Sequence, residues 1–465
     1  MNRLGLAATL RLGLFQGCLG CLAVVFSGLL NRVMISELAF PALLVGGSLA
    51  FEQFVAPARV LFGQISDAHP WAGRRRLPYI WIGTLLFCCL AVASVPLIFQ
   101  VGRLLQSEQT ALLAWAIAAL CGLFALYGLA VSLATTPYLA LVIDRTSEAE
   151  RPRAVGIIWC MLTVGIVIGA ITIAVSLKSL DGITDPLVLE PVLTSFMARI
   201  AIAVSILTLV ATWGMEPRNL QAKSGNSPHP RDDAITLGQA WTLITSSRQV
   251  FVFFAFLICF TLGLFLQDPI LESYGAQVFG MPIAATASLN AFWGIGTLLG
   301  LLLAGLWLVP RLGKLAAARL GCQLIVCTLG LLLLCGFSAS VPLLNGVLFL
   351  FGLAAGIGTN SALVLMLDLT LPQAAGTFVG VWGLAQALSR ALGKVMGGAL
   401  LDLGQVLQQR LSLLGSSPLP AFALVLLVEM AIAVLALVLL ARVNLRQFRE
   451  DTNQSLSKVL ALELG

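Results

Sequence analysis

Histidine is nearly missing from this sequence: His69 and His229 are the only two in 465 residues. Tyrosine is scarce as well, at four, and charged side chains make up 10% of the chain. Soluble domains carry about 25% charge, so a water-bathed globule is excluded. The shortage of imidazole, with no clustered carboxylates at ligand spacing, removes the common metal centres. No nucleophile stands beside a base and no glycine loop is built to cradle phosphate, so an enzyme is not expected, nor is a metal or nucleotide cofactor. Basic residues exceed acidic ones, 27 to 21. In an apolar chain, however, their placement carries more meaning than their sum, and nucleic acid is not an expected partner.

What the chain has is hydrophobicity. Apolar residues make up 59% of it, glycine contributes 44 positions, and the mean hydropathy is +0.98. Long apolar runs broken by short polar clusters predict an all-α, multi-pass membrane protein, because lipid offers the backbone no water and each crossing must be a helix of roughly 20 residues. About twelve such stretches can be drawn, among them 40–64 as the second, 250–271 as the seventh and 376–401 as the eleventh. The ten cysteines all lie in apolar segments and read as small hydrophobes, the Cys18/Cys21 pair included. No cleavable leader is evident in the first apolar run, which continues to Leu30.

Lys and Arg gather on one side. Arg3, Arg11, Arg74, Arg75, Arg76, Arg145, Arg151, Arg153, Arg218, Lys223, Arg311, Lys314 and Arg442 fall at the tails and even-numbered loops, against Arg32, Arg103, Lys178, Arg199 and Arg410 opposite. The positive-inside rule then places both termini on the cytoplasmic side, with lipid as surrounding partner. The expected division is a six-helix bundle over 1–215, a polar cytoplasmic linker over 216–248, a second six-helix bundle over 249–449 and a cytoplasmic tail over 450–465.

The two bundles carry an internal repeat. One constant offset lays Gly128-Leu129 on Gly352-Leu353, Asp144-x-Thr146 on Asp368-x-Thr370 and Val155-Gly156 on Val379-Gly380. Two pseudo-symmetric six-helix halves in parallel repeat describe the major facilitator fold, with a cavity between them. Gly63-x-x-x-Asp67 followed by Gly73-Arg74-Arg75-Arg76 resembles the loop motif of that superfamily. Asp and Arg at the rim can form a charge-assisted clasp that holds one conformation; Gly73 stands slightly farther from Asp67 than is usual.

Ionisable and amide side chains at membrane depth are costly, and each is a candidate for a cavity or for helix-to-helix bonding. Asn31, Arg32 and Glu37 end the first stretch. Glu52, Gln53 and Arg59 lie on the second, where a continuous helix would put Glu52 and Arg59 two turns apart on one face. The seventh ends in Gln267-Asp268-Pro269-Ile270-Leu271-Glu272, where Pro interrupts the helix. Asn290, Asn360 and Glu429 lie on later stretches, and Gln386, Arg390 and Lys394 recur every four residues on the eleventh. Lys394 has two readings, snorkelling to the rim or a share in that polar stripe. Gly352, Gly356 and Asn360, and likewise Gly165 and Gly169, offer room for a cargo or close helix contact.

Four strings are more specific: Leu30–Leu38, Pro57–Asp67, Arg75–Thr84 and Gln267–Gly275. They resemble the PucC/LhaA group, the bacteriochlorophyll delivery family of the major facilitator superfamily. The resemblance implies an assembly factor of a bacterial inner membrane of photosynthetic or thylakoid type. It further implies chlorophyll or bacteriochlorophyll as cargo, and light-harvesting or photosystem apoproteins and pigment-synthesis enzymes as partners. The segment Ala68–Ala72 and the Glu52-Gln53 pair are departures from that pattern. With both histidines assigned to loops, a chlorin magnesium would have Gln16, Asn31, Gln53, Asn290, Asn360, Gln386 or water as ligand. The alternative is a proton-coupled secondary transporter of a small amphipathic solute, with Glu52, Asp268 or Glu272 as proton sites.

Overall fold

In the computed structural model, residues 5–71, 73–107, 110–146, 151–180, 183, 185–216, 248–369, 375–411 and 417–444 are described. The expected linker and tail therefore lie almost wholly outside the described residues. Those described are helical apart from short turns and one isolated bridge between Trp71 and Arg74.

The helices, numbered in chain order, are α1 (Leu6–Glu37), α2 (Ala42–Phe54), α3 (Ala58–Ala68), α4 (Leu77–Leu105), α5 (Thr110–Arg145), α6 (Arg151–Ser176) and α7 (Pro186–Thr212). The second group comprises α8 (Arg248–Phe265), α9 (Leu271–Phe279), α10 (Ile283–Leu312), α11 (Lys314–Cys335), α12 (Val341–Leu369), α13 (Ala375–Leu411) and α14 (Leu419–Ala441). Among the described residues nine helices are long and apolar enough to cross a membrane unaided. The others have visible reasons for falling short. The expected second stretch is split into α2 and α3, α8 is short and interrupted before α9, and α13 carries the polar stripe.

The first group packs on itself through α4 against α5 and α7, α1 against α6 and α7, and α2 and α3 against α5. The second uses α10 and α11 against α12, and α8, α11 and α13 against α14. Two long contacts join the groups: α2 with α13, and α6 with α10. Side chains such as Phe26, Phe87, Phe124, Phe253 and Phe351 fill the interior, while Trp115, Leu187, Leu306 and Phe337 point outward, as a protein dissolved in hydrocarbon requires.

Small residues set the spacing. A side chain at Gly128 would strike the backbone of Glu52 on α2, and one at Gly352 would strike the carbonyl of Trp293 on α10. The two glycines that the repeat aligns thus allow the same kind of backbone approach in each group. Gly356 likewise meets the Thr297 carbonyl, and Gly165 and Gly169 meet Gly17 and Cys21. For Gly352 and Gly356 the expectation of room for a cargo is corrected, the space being taken by neighbouring backbone, whereas Gly165 and Gly169 make the close helix contact that is the favoured reading of that pair. Cys89 and Cys327 are exposed on the outer surface, so not every cysteine is a buried hydrophobe.

The inter-group contact is equally close at Gly46, which faces the Lys394 carbonyl, whereas Gly47 beside it faces open space. Gly46→Val is therefore expected to lower the melting temperature of the detergent-solubilised protein, at a cost of about 1–3 kcal/mol for overpacking. Gly47→Val should leave it within experimental error; differential scanning fluorimetry on the pair checks this.

Candidate inter-group charge seam

The α2–α13 contact is antiparallel and ordered. At the end of the bundle far from both chain ends, the Asp402 carboxylate accepts from the Ala42 and Leu43 amides, each at 2.7 Å. Those amides open α2 and have no partner within their own helix, and an N-terminal carboxylate also suits the helix dipole. Next, Gly46 lies against Lys394, and Gly398 against the Ala42 carbonyl. One turn further, Lys394 Nζ stands 3.6 Å from Glu52 Oε2. Lys394 is buried at 6% exposure, and of its two readings the structure excludes snorkelling to the rim: it is held inside by a carboxylate of the opposite group.

Beyond Glu52 the helix stops. Pro57 has no amide hydrogen and its ring crowds the carbonyl four residues earlier, so Val55–Pro57 form a turn and α3 starts at Ala58. The expected continuous helix with Glu52 and Arg59 on one face is corrected on this account. Past the break α3 packs on α5, with Gly63 against Thr136, while α13 runs on as one unbroken helix. Arg59 and Arg390 are both accessible there, and Arg390 lies 4.4 Å above the ring of Phe265, which in turn meets Trp293 edge-on at 6.1 Å. Asp268 interacts electrostatically with Lys394, Arg390 and Glu52, and Arg390 with Asp268, Arg59 and Glu52. The structure therefore brings Glu52, Arg59, Asp268, Arg390 and Lys394 into one cluster; Gln386 lies one turn before Arg390, and Gln53 beside Glu52, both half-buried.

A second set meets it at the far end. α1 is wound as π-helix over Val24–Leu29 and Val33–Glu37, a local widening that often marks functional segments. Between the two lie Asn31 and Arg32, both buried. Asn31 donates to the Pro269 carbonyl at 2.5 Å, and Arg32 donates to Thr286 Oγ1 at 2.8 Å, to the Met281 carbonyl at 3.0 Å and to Glu37 at 3.3 Å. The interruption at Gln267–Ile270 is satisfied from two sides, since Glu429 accepts from the Leu266 amide at 3.2 Å. Glu272 follows in the first turn of α9, at 3% exposure, accepting from Asn290 and lying against Gly28. Its second carboxylate oxygen has no hydrogen-bond partner among the described residues. Val24, Gly28, Glu272, Thr286 and Asn290 line a small recess between the groups.

Other candidates lie apart. Asn360 is half-buried on α12 beside Gly305. At the end that carries the termini, Gly73 adopts a positive φ of 73° in the Trp71–Arg74 turn, and Arg74 lies 5.6 Å over Trp81. Arg76 pairs with Asp144 at 3.2 Å and donates to Ser66, and Glu216 accepts from the amides of Arg75, Arg76 and Leu77. Arg75 itself is exposed. The loop motif and the repeat's Asp144 thus meet in one clasp inside the first group, a link that spacing alone did not show. Thr146, just past the end of α5, bonds back to Val142 in its last turn. Expectations for the Asp67 and Asp368 side chains and for Thr370 lie outside the described residues.

Comparison with known proteins adds the following. A family model described as PUCC protein matches residues 29–448. The chain is 33% identical over 412 residues to an uncharacterized protein of the puhA-bchM intergenic region of Rhodobacter capsulatus, covering 86% of this chain and 81% of that one. It is 30% identical to Protein PucC of Rhodovulum sulfidophilum, covering 88% of each. A relative from Rhodobacter capsulatus named bacteriochlorophyll synthase 44.5 kDa chain is 30% identical, covering 86% of this chain and 88% of that one. Among solved structures, the nucleoside transporter NupG superposes with a TM-score of 0.67 at 13% identity, covering 94% of this chain and 98% of the other. A bacterial homologue of the lysosomal transporter Spinster gives 0.63 at 15%, covering 96% and 97%. These likenesses show that the fold is of the major facilitator type.

The Glu52–Lys394 pair predicts a coupling. Lys394→Met should destabilise the protein by about 2 kcal/mol, between the values for exposed and fully buried pairs because Glu52 keeps some exposure. Adding Glu52→Gln should restore most of that loss, as read from a double-mutant cycle of thermal unfolding.

Proposed function

The chain belongs to the PucC family, and from that premise we propose that it is an assembly factor of the photosynthetic membrane. In this reading it holds chlorophyll- or bacteriochlorophyll-type pigment between its two groups of helices. It then passes the pigment to light-harvesting or photosystem apoproteins, with pigment-synthesis enzymes as further partners. The observation that carries the reading is the seam itself: broken helices, accessible arginines and an aromatic platform meet between two groups that otherwise pack through glycine. Discontinuous helices at such an interface are where transporters of related architecture bind their substrates.

The donor set fits a cargo held weakly. His69 lies in the loop after α3, exposed, and its carbonyl accepts from Tyr79. Buried oxygen supplies the alternative: Asn31 Oδ1 has no partner among the described residues. A chlorin magnesium accepts a hard oxygen, and oxygen ligation without imidazole suits a pigment that must be released. Among its described residues the seam pairs no nucleophile with a base. With both termini in the cytoplasm, the end where α3 leaves α13 opens to that side.

A second reading has its own support. Glu272 is a buried carboxylate between the groups with one oxygen unpartnered. In a membrane such a group is a natural proton carrier, which favours a proton-coupled transporter of a small amphipathic solute.

Affinity purification from native photosynthetic membranes, followed by pigment extraction and identification of co-purifying proteins, separates the two. Releasable pigment together with antenna or photosystem apoproteins is expected. Recovery without either, joined with proton-driven uptake in liposomes, would establish the transporter instead. In the same cells, Arg59→Ala should reduce antenna absorbance several-fold while the level of the variant protein holds; equal losses would mean that Arg59 is structural only.

A further inference from the structure

The charges of the seam are unevenly spread along its length. At the far end Arg32 faces two carboxylates, Glu37 and Glu272. Toward the end that carries the termini, three cations, Arg59, Arg390 and Lys394, face two carboxylates, Glu52 and Asp268. Lys394 takes Glu52 as its ion-pair partner. Arg59 and Arg390 come from opposite groups, lie within electrostatic reach of each other, and form no ion pair or side-chain hydrogen bond among the described residues.

Two accessible guanidiniums brought together across an interface repel, and a low-dielectric wall strengthens the repulsion. An anion between them turns that cost into attraction, and the planar fork of arginine suits a carboxylate above other shapes. The surroundings add an apolar requirement. Arg390 lies on the face of Phe265 at 4.4 Å, and Trp293 closes on the same ring with an indole nitrogen that has no partner among the described residues. A small inorganic anion would leave this aromatic wall unused, whereas a flat apolar body with one carboxylate would cover it.

Resting on the pigment reading above, we propose that Arg59 and Arg390 form a carboxylate clamp, and that the cargo is the free-acid form of a tetrapyrrole rather than its long-chain ester. The clamp reads the side-chain carboxylate while Phe265 and Trp293 meet the ring. Esterification removes the charge that the arginines hold, so an ester-forming reaction acting on the held free acid is the class of step that loosens the pigment for transfer to the apoproteins. Because the arginines sit on α3 and α13, which separate beyond the Pro57 break, a bound carboxylate also draws the two groups together at that end.

The test uses the full chain in nanodiscs, with quenching of tryptophan fluorescence by chlorophyllide a and by its methyl ester, ligands that differ only in the charge. The free acid is expected to bind about tenfold more tightly or better, the worth of one or two charge-assisted hydrogen bonds. Arg390→Gln and Arg59→Gln should each remove most of that preference while leaving the ester's affinity unchanged. Arg390→Lys, which keeps the charge without the fork, should retain part of it and unfold at the wild-type temperature. Equal affinity for acid and ester would overturn the clamp while leaving pigment handling intact. If neither tetrapyrrole binds but the fluorescent fatty acid cis-parinaric acid does, in an Arg390-dependent way, the clamp stands and the pigment reading falls. Binding of none of the three would overturn both.

Discussion

Charge inside a bilayer has to be answered by charge, and in this protein the answer comes from the opposite group of helices. Lys394 is tolerable at 6% exposure because Glu52 reaches it, and the amides that open α2 are satisfied because Asp402 reaches them. A lone ammonium or a bare helix terminus at that depth would cost several kcal/mol. The α2–α13 register follows from those two contacts, with Gly46 and Gly398 removing the side chains that would hold the helices apart. The seam is thus a polar interface inside an apolar protein, held by few interactions of high individual worth.

The same interface is built to be undone. Packing through glycine backbone has little apolar area to lose, and ion pairs regain hydration when water enters. Both features lower the cost of separating the groups compared with a continuous hydrophobic core. The helix interruptions serve the same end. Pro57 lets α3 turn toward α5 while α2 stays on α13, and the break before Pro269 is satisfied by Asn31 from one group and Glu429 from the other helix beside it. Irregular backbone at membrane depth persists only where protein or water answers its polar groups. Here that condition holds along the line where a cargo would lie.

Much of this was legible in the sequence. The apolar runs gave the helices because the bilayer leaves the backbone no alternative, and isolated ionisable residues marked the seam because lipid would not tolerate them elsewhere. Gln386, Arg390 and Lys394 fell on one face because the helical period fixes it. The partners were not legible. Nothing in the spacing of Lys394 says that Glu52, more than three hundred residues earlier, neutralises it, and Asp402 gives no local sign that it caps α2. Proline at position 57 carried the signal for the split second stretch, but proline is common enough in membrane helices that it need not break one. The glycines of α12 misled for a related reason: a small residue signals close approach equally well for a backbone and for a ligand.

Closure at the far end with access from the end that carries the termini can be measured directly by cysteine labelling. In a background freed of the ten native cysteines, Arg59→Cys and Arg390→Cys should react rapidly with a membrane-impermeant maleimide added from the side of the termini. Val45→Cys, on the packed stretch of α2, should not react until the protein is denatured. Rapid labelling at position 45 with protection at 59 and 390 would contradict the seam described above.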